Sequence, residues 1–224
     1  MRISHTYKFV FIAITRTGST SIRSALDPFT DITSTPEGAF WHHTNPQKLK
    51  EEFDKRDWDW NSYFKFAFVR NPWDRLVSTY FYDKKKLGEN VEEIKQTSAL
   101  HRLWIEYTES LHQKYPSFCE WACAIHENNT PKKRHRKKNQ LRMECQKDTL
   151  YDKDENMLVD FIGRFESLEE DFNFVCKKIG IDASLEKMNS TEHPHYSRLY
   201  DSNTIEEVRK IYKKDIDFFN YKFE

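Results

Sequence analysis

The stretch Thr15-Arg16-Thr17-Gly18-Ser19-Thr20-Ser21 gathers one cation, one glycine and five hydroxyls in seven residues, a set of groups suited to holding an anion. An apolar run of strand character ends just before it, at Ile14, and a helical pattern (Ile22, Ala25, Leu26) follows it. A strand feeding a hydroxyl-rich loop that opens a helix is a phosphate cradle. The first amides of a helix have no internal partner and point at whatever sits in the loop. The helix dipole favours an anion there. Gly18 lets the backbone approach a ligand closely. Arg16 adds a fixed positive charge, and Ser19, Thr20 and Ser21 add neutral donors. The loop departs from the nucleotide-triphosphate pattern G-x-x-x-x-G-K-[ST]: it has one glycine, and its basic residue precedes it. The expectation is a phosphate-like anion held without the metal–triphosphate arrangement. The plainer alternative is an ordinary strand–turn–helix corner.

A second segment, FKFAFVRNPWDRLVSTYFYD over 64–83, shifts the balance. Phe64 to Val69 reads as a short buried strand. Asn71 suits a helix cap and Pro72 the first helical position. Trp73, Leu76, Val77 and Tyr80 then fall at helical spacing. Arg70 therefore stands at the carboxyl end of a strand, where open α/β sheets bind ligands, and its fork suits a phosphate. Ser78 lies two turns along the following helix. A third segment, Phe40-Trp41-His42-His43-Thr44-Asn45-Pro46, places two histidines in a loop just before a helix capped by Asn45 and running to about Phe53. Histidine serves as a base near neutral pH with little tuning. The structural alternative is a loop histidine that makes a fixed hydrogen bond.

These segments resemble the PAPS-dependent sulfotransferases. ITRTGSTSI looks like their 5′-phosphosulfate loop, and FVRNPWDRLVSTY like their 3′-phosphate-binding motif. The nearest flavour is the carbohydrate sulfotransferase branch in its compact, bacterial-type form. LVDFIGRFESLEEDF (158–172) and IEEVRKIYKKDIDFFNYKF (205–223) extend the resemblance from about Phe9 to Phe223, with weak coverage between roughly 84 and 145. Many relatives carry lysine-threonine-glycine-glycine in the first loop. Here Arg16 stands for the lysine and Ser19 for the second glycine.

The resemblance implies transfer of a sulfuryl group from 3′-phosphoadenosine 5′-phosphosulfate (PAPS) to an acceptor hydroxyl, with no metal required. It assigns Arg16, Thr17, Gly18, Ser19, Thr20 and Ser21 to the phosphosulfate, and Arg70 and Ser78 to the 3′-phosphate. Arg16 would also stabilise charge growing on the bridging oxygen, by charge and hydrogen bonding, because a guanidinium does not give up its proton. The family's histidine-then-threonine pattern matches His43-Thr44, so His43 is the expected base and His42 the second candidate. A loop over the nucleotide in relatives corresponds to 189–201, which makes His195, Tyr196 and Arg198 candidate contacts. A saccharide is the expected acceptor. A small alcohol, a natural product or a lipid headgroup fits the same motifs. Two rivals remain: a kinase-like nucleotide enzyme, which would need a Walker-type lysine and Mg²⁺ carboxylates, and a non-catalytic binder of nucleotide or glycan.

Composition fits a compact enzyme. The chain has 224 residues, with 38% hydrophobic and 32% charged residues, a size for one domain. Aromatics reach 15%, including 17 Phe, 11 Tyr and 6 Trp, so large rings are expected to carry much of the core. Lysine plus arginine equals aspartate plus glutamate at 36 each. No net field steers a polyanion, which argues against nucleic acid and makes any attraction local. The basic run TPKKRHRKKNQ (130–140, with its charges over 132–138) reads either as a solvated surface loop or as a loop drawing an anionic acceptor or the donor. Cys119, Cys123, Cys145 and Cys176 lack the second close pair of a zinc site and read as buried, reduced thiols. The short apolar run near the N-terminus is needed as a strand, so neither a signal peptide nor a membrane span is expected and a cytoplasmic enzyme follows.

The elements that must position these residues follow in order. Strands at 7–14, 64–69 and 158–163 are separated by helical stretches, including one or two helices over 91–127 that open on a Ser117–Glu120 capping box. A second capping box, Ser167 with Glu170, opens a helix ended by Gly180. Arg164 and Glu166, at the end of the third strand, either line the nucleotide cleft or pair with one another. The last helix starts near Ser202 or Asn203. The expected fold is α/β: a P-loop-like, mainly parallel β-sheet flanked by helices in a single domain. Right-handed crossovers would bring the strand ends, and the motifs on them, to one edge.

Overall fold

The computed structural model describes residues 1–35, 40–89, 91–97, 99–129, 144–152, 154–186, 188 and 193–224. The basic run over 132–138 and positions 189–192 of the tail loop lie outside the described residues. In chain order the elements are β1 (Arg2–Ser4), β2 (Phe9–Ile12), α1 (Ser19–Leu26), α2 (Pro46–Asp54), β3 (Phe64–Val69), α3 (Pro72–Gly88), α4 (Val91–Thr97), α5 (Ala99–Lys114), α6 (Phe118–Asn129), α7 (Gln146–Leu150), β4 (Phe161–Arg164), α8 (Leu168–Ile179), α9 (Ser202–Ile211) and α10 (Lys213–Phe219). They fall into two compact units, Met1–Arg70 with Glu144–Ser190, and Asn71–Met143 with Thr191–Glu224.

The first unit is mixed α/β. Its four strands run in the order β1-β2-β3-β4. β2 pairs with β3 and β3 with β4 in parallel, so Ile12, Val69 and Arg164 end on the same edge. β1, which sequence reading missed, adds an antiparallel edge. The three residues of β1 are too few to show a period, and Arg2 breaks the apolar pattern. β2 is shorter than the expected 7–14. Lys8 turns the chain with a positive φ of 51°, and the Ala13 and Ile14 carbonyls are taken by His43 and Thr17 rather than by a strand. β4 begins at Phe161, not 158, because Leu158 donates to Leu150 and the Asp160 carboxylate receives the Lys65 amide and ammonium.

One face of the sheet is a packed aromatic layer. Phe9, Phe11, Phe66 and Phe68 meet Ile22 and Leu26 of α1 and Phe172, Val175, Cys176 and Ile179 of α8. Phe11 and Phe66 stack with centroids 5.3 Å apart. The expectation that large rings carry the core holds. Gly163 is required here, since a Cβ would sit 2.5 Å from the Phe68 ring. α8 starts differently from the expected capping box. A 3₁₀ turn over Phe165–Ser167 precedes it, and the Ser167 hydroxyl donates to Asp171, not Glu170. Asp171 also receives the Arg164 amide at 2.6 Å. The helix ends at Gly180 with φ 74°, as expected.

The second unit is helical among its described residues. α3 is capped by Asn71, whose side chain accepts from Trp73 N at 3.1 Å, with Pro72 at its first position. Three helices, α4 to α6, occupy the region expected to hold one or two. The Ser117–Glu120 capping box forms in full. Tyr80 of α3 packs edge-on against Phe118 and Trp121 of α6 and donates to the Pro116 carbonyl. Of the cysteines, all are free but only Cys176 is buried. Cys119, Cys123 and Cys145 are half-buried, which corrects the expectation of four buried thiols. No helix among the described residues is long and apolar enough to cross a membrane.

Candidate active site

The candidate phosphate loop leaves β2 and enters α1 through two left-handed residues. Arg16 has φ 65° and Gly18 φ 76°. A non-glycine residue there is uncommon and signals a loop shape held by its surroundings. Thr17, fully buried, donates its hydroxyl back to the Ile14 carbonyl at 3.0 Å and closes the loop. Gly18 is the N-cap of α1 and has no side chain to cap it. No side-chain oxygen caps the first-turn amides of α1, the condition under which a helix start can receive an anion. Gly18 is also sterically fixed: a Cβ would lie 2.9 Å from Leu168 Cδ2 and 3.3 Å from the Phe165 ring. Ser19 and Ser21 are buried, and Ser21 Oγ accepts the Met188 amide at 3.1 Å. Thr20 is half-buried and accepts from Arg23 Nη2 at 3.4 Å.

Arg70, one residue past β3, is 7% exposed. Its guanidinium donates to the Arg16 carbonyl at 3.2 Å and lies over the Phe165 ring, 3.9 Å from the centroid. Its backbone is held by Gln146 of α7. The Arg70 amide donates to Gln146 Oε1 at 2.9 Å, and Gln146 Nε2 donates to the Arg70 carbonyl at 2.8 Å. The parallel sheet explains the meeting of loop and arginine, because β2 and β3 end side by side on one edge.

His43 joins the same edge. Its Nδ1 stands 2.8 Å from the Ala13 carbonyl at the foot of the loop. A carbonyl only accepts, so Nδ1 carries the proton and Nε2 of the neutral ring keeps its lone pair. Burial lowers the His43 pKa to about 4, against the opposing pull of the Ala13 hydrogen bond, with further lowering from the charges of the N-terminal amine and Arg23. The ring is therefore neutral at physiological pH. His42 is tied differently: Nδ1 pairs with Ser34 Oγ, and its carbonyl accepts the Met1 amine. α2 follows as expected from Asn45, whose side chain accepts from Lys48 N at 3.0 Å.

The first unit thus brings together Arg16, Thr17, Gly18, Ser19, Thr20, Ser21, His43 and Arg70. Sequence reading missed three participants. Arg23 braces the first turn of α1 through the Ser19 carbonyl and Thr20 hydroxyl; its signal was a lone cation one turn past the loop. Phe165 and Gln146 carried no signal, since a ring and an amide are common anywhere. Arg164 and Glu166 are both exposed.

The other candidates lie in the second unit. Ser78 is buried on α3 at 3% exposure. Tyr196 is buried, and its hydroxyl accepts from Asn71 Nδ2 at 3.4 Å and from the Glu224 amide at 3.1 Å, tying the C-terminal tail to the start of α3. His195 and Arg198 are exposed, with His195 Nδ1 2.8 Å from Ser197 Oγ. Among the described residues no group of three or more His, Cys, Asp or Glu is gathered as metal ligands would be.

A family model described as the Sulfotransferase family matches residues 1–222. The chain belongs to the sulfotransferase family. The match spans both units and both motifs, so sulfuryl transfer is the general chemistry of this fold member. A protein of Archaeoglobus fulgidus, described as uncharacterised, is 24% identical over 140 residues, covering 62% of this chain and 87% of its own. No solved structure matches significantly.

Proposed function

We propose that this sulfotransferase transfers a sulfuryl group from PAPS to a hydroxyl of a carbohydrate acceptor, with His43 as general base. The observation that carries the reading is the convergence on one sheet edge of His43, the left-handed loop and Arg70, through the bonds His43–Ala13 and Arg70–Arg16. The sheet and its loop are read as P-loop-like, and both units as one functional domain.

Family membership supports PAPS as donor, and the loop fits one end of it. Two left-handed residues, a glycine whose Cβ would crowd Leu168 and Phe165, and helix amides with no side-chain cap suit a tetrahedral anion. PAPS supplies the sulfuryl group and leaves as 3′-phosphoadenosine 5′-phosphate (PAP). Arg16 and the amides of Gly18 to Ser21 hold the 5′ end and stabilise negative charge on the bridging oxygen as its bond to sulfur breaks. Arg70 and Ser78 hold the 3′-phosphate; His195, Tyr196 and Arg198 are assigned to the nucleotide through the family loop. His43 Nε2 takes the acceptor proton as the new S–O bond forms. His42, with Nδ1 engaged by Ser34, is the second candidate for this role. Positioning and charge stabilisation do the remaining work.

The direct test incubates the protein with radiolabelled PAPS and a panel of saccharides, with and without chelator. Acceptor-dependent label transfer that persists in chelator supports the reading. Phosphoryl transfer from ATP that needs Mg²⁺ would replace it with a kinase-like function.

A further inference from the structure

We propose that Gln146 is a positioning residue that sets donor selectivity through Arg70. The inference rests on the donor reading above and adds to it a residue outside both family motifs.

The problem Gln146 solves is set by the chain itself. β3 ends at Val69, the last residue paired with β4, and Asn71-Pro72 then turns the chain into α3. Arg70 is caught between ladder and helix in a buried position, where a backbone N–H and C=O must both find partners. Gln146 meets both with one side chain, across 76 residues of sequence, at 2.9 and 2.8 Å. A primary amide is suited to this, since it presents a donor and an acceptor side by side as a strand neighbour would. Gln146 is fully buried, so water does not substitute for it.

Two further contacts turn a fixed backbone into an aimed guanidinium. Phe165 stacks beneath it, and the Arg16 carbonyl takes one of its N–H groups. Phe165 also fills the space against Gly18. A shift of the Arg70 backbone would therefore be felt at the side chain that reads the 3′-phosphate and at the carbonyl of the loop residue that faces the 5′ end. A bidentate fork tolerates little misplacement. A purely structural clamp would lower stability and leave selectivity per folded molecule unchanged.

The test is calorimetric titration of the full chain with PAP and with 5′-AMP, for wild type, Gln146→Met, Gln146→Asn, Arg70→Ala and Arg70→Ala with Gln146→Met. The proposal expects Gln146→Met to cut the PAP-to-AMP affinity ratio about tenfold, the scale of one charge-assisted contact, and Gln146→Asn, which keeps the amide but draws it back, to cut it less. In the Arg70→Ala background Gln146→Met should change the ratio no further, because its effect passes through Arg70. An unchanged ratio in both single variants overturns the proposal, as does an equal fall with Arg70 already removed. If Gln146→Met does not fold, Gln146→Asn carries the same comparison. A wild-type protein that binds PAP and 5′-AMP equally would instead overturn the donor reading, and this inference with it.

Discussion

The Arg70 guanidinium donates to the main-chain carbonyl of Arg16 at 3.2 Å, across 54 residues of sequence. The residue read as a 3′-phosphate ligand thus also steadies a left-handed position of the phosphosulfate loop. Arg70→Lys keeps the charge but loses the planar fork and the stacking on Phe165. The expected outcome is a fall in PAP affinity of about ten- to a hundredfold, read by calorimetry. Affinity within about twofold of wild type would show that the charge alone suffices.

Gly18→Ala places a methyl 2.9 Å from Leu168 Cδ2 in a backbone with φ 76°. The left-handed conformation alone costs about 1–2 kcal/mol for an L-residue, and the contact adds to it. Denaturant unfolding should show a loss of about 2 kcal/mol or more, with PAP binding reduced. A stable variant that binds normally would mean that the loop relaxes at no cost.

His43→Ala should lower turnover by about 10²–10⁴-fold while largely sparing PAP binding, the usual span for removing a general base. With the wild-type pKa at about 4, the acid limb of kcat/KM should fall well below pH 6.5. The negative charge of bound donor should raise that pKa, so the acid limb of kcat should lie at higher pH than that of kcat/KM. Turnover retained in His43→Ala would move the base to His42.

The same shift makes stability depend on pH. The folded pKa of about 4 lies below the ordinary 6.5, so the unfolded chain takes up the proton first. The contribution of His43 is complete above about pH 6.5 and is lost as pH falls towards 4. Urea midpoints measured across that window should fall more steeply for wild type than for His43→Gln. Parallel curves would contradict the burial of the ring.

Much of this arrangement was legible in the residues. Asn71-Pro72 and Asn45-Pro46 gave both helix starts, because a capping amide followed by proline is a local signal. Arg70 marked the end of β3 because the boundary of a buried strand is local too. What escaped needed tertiary information. β1 is three residues long. Ser167 does stand at the start of α8, but its capping bond escaped, because a 3₁₀ turn runs into the helix there and the Ser167 hydroxyl goes to Asp171 instead. Gln146 and Phe165 gain their meaning from partners far along the chain. His43 was readable as a base, but its fixed tautomer depends on the Ala13 carbonyl, 30 residues away.

The most direct test of the account is calorimetric titration of the wild-type protein with PAP beside 5′-AMP. A donor site built on the Arg16 loop and Arg70 predicts micromolar PAP binding, roughly ten- to a hundredfold tighter than 5′-AMP. Equal binding of the two, or none of either, would contradict it and leave the loop a generic anion site.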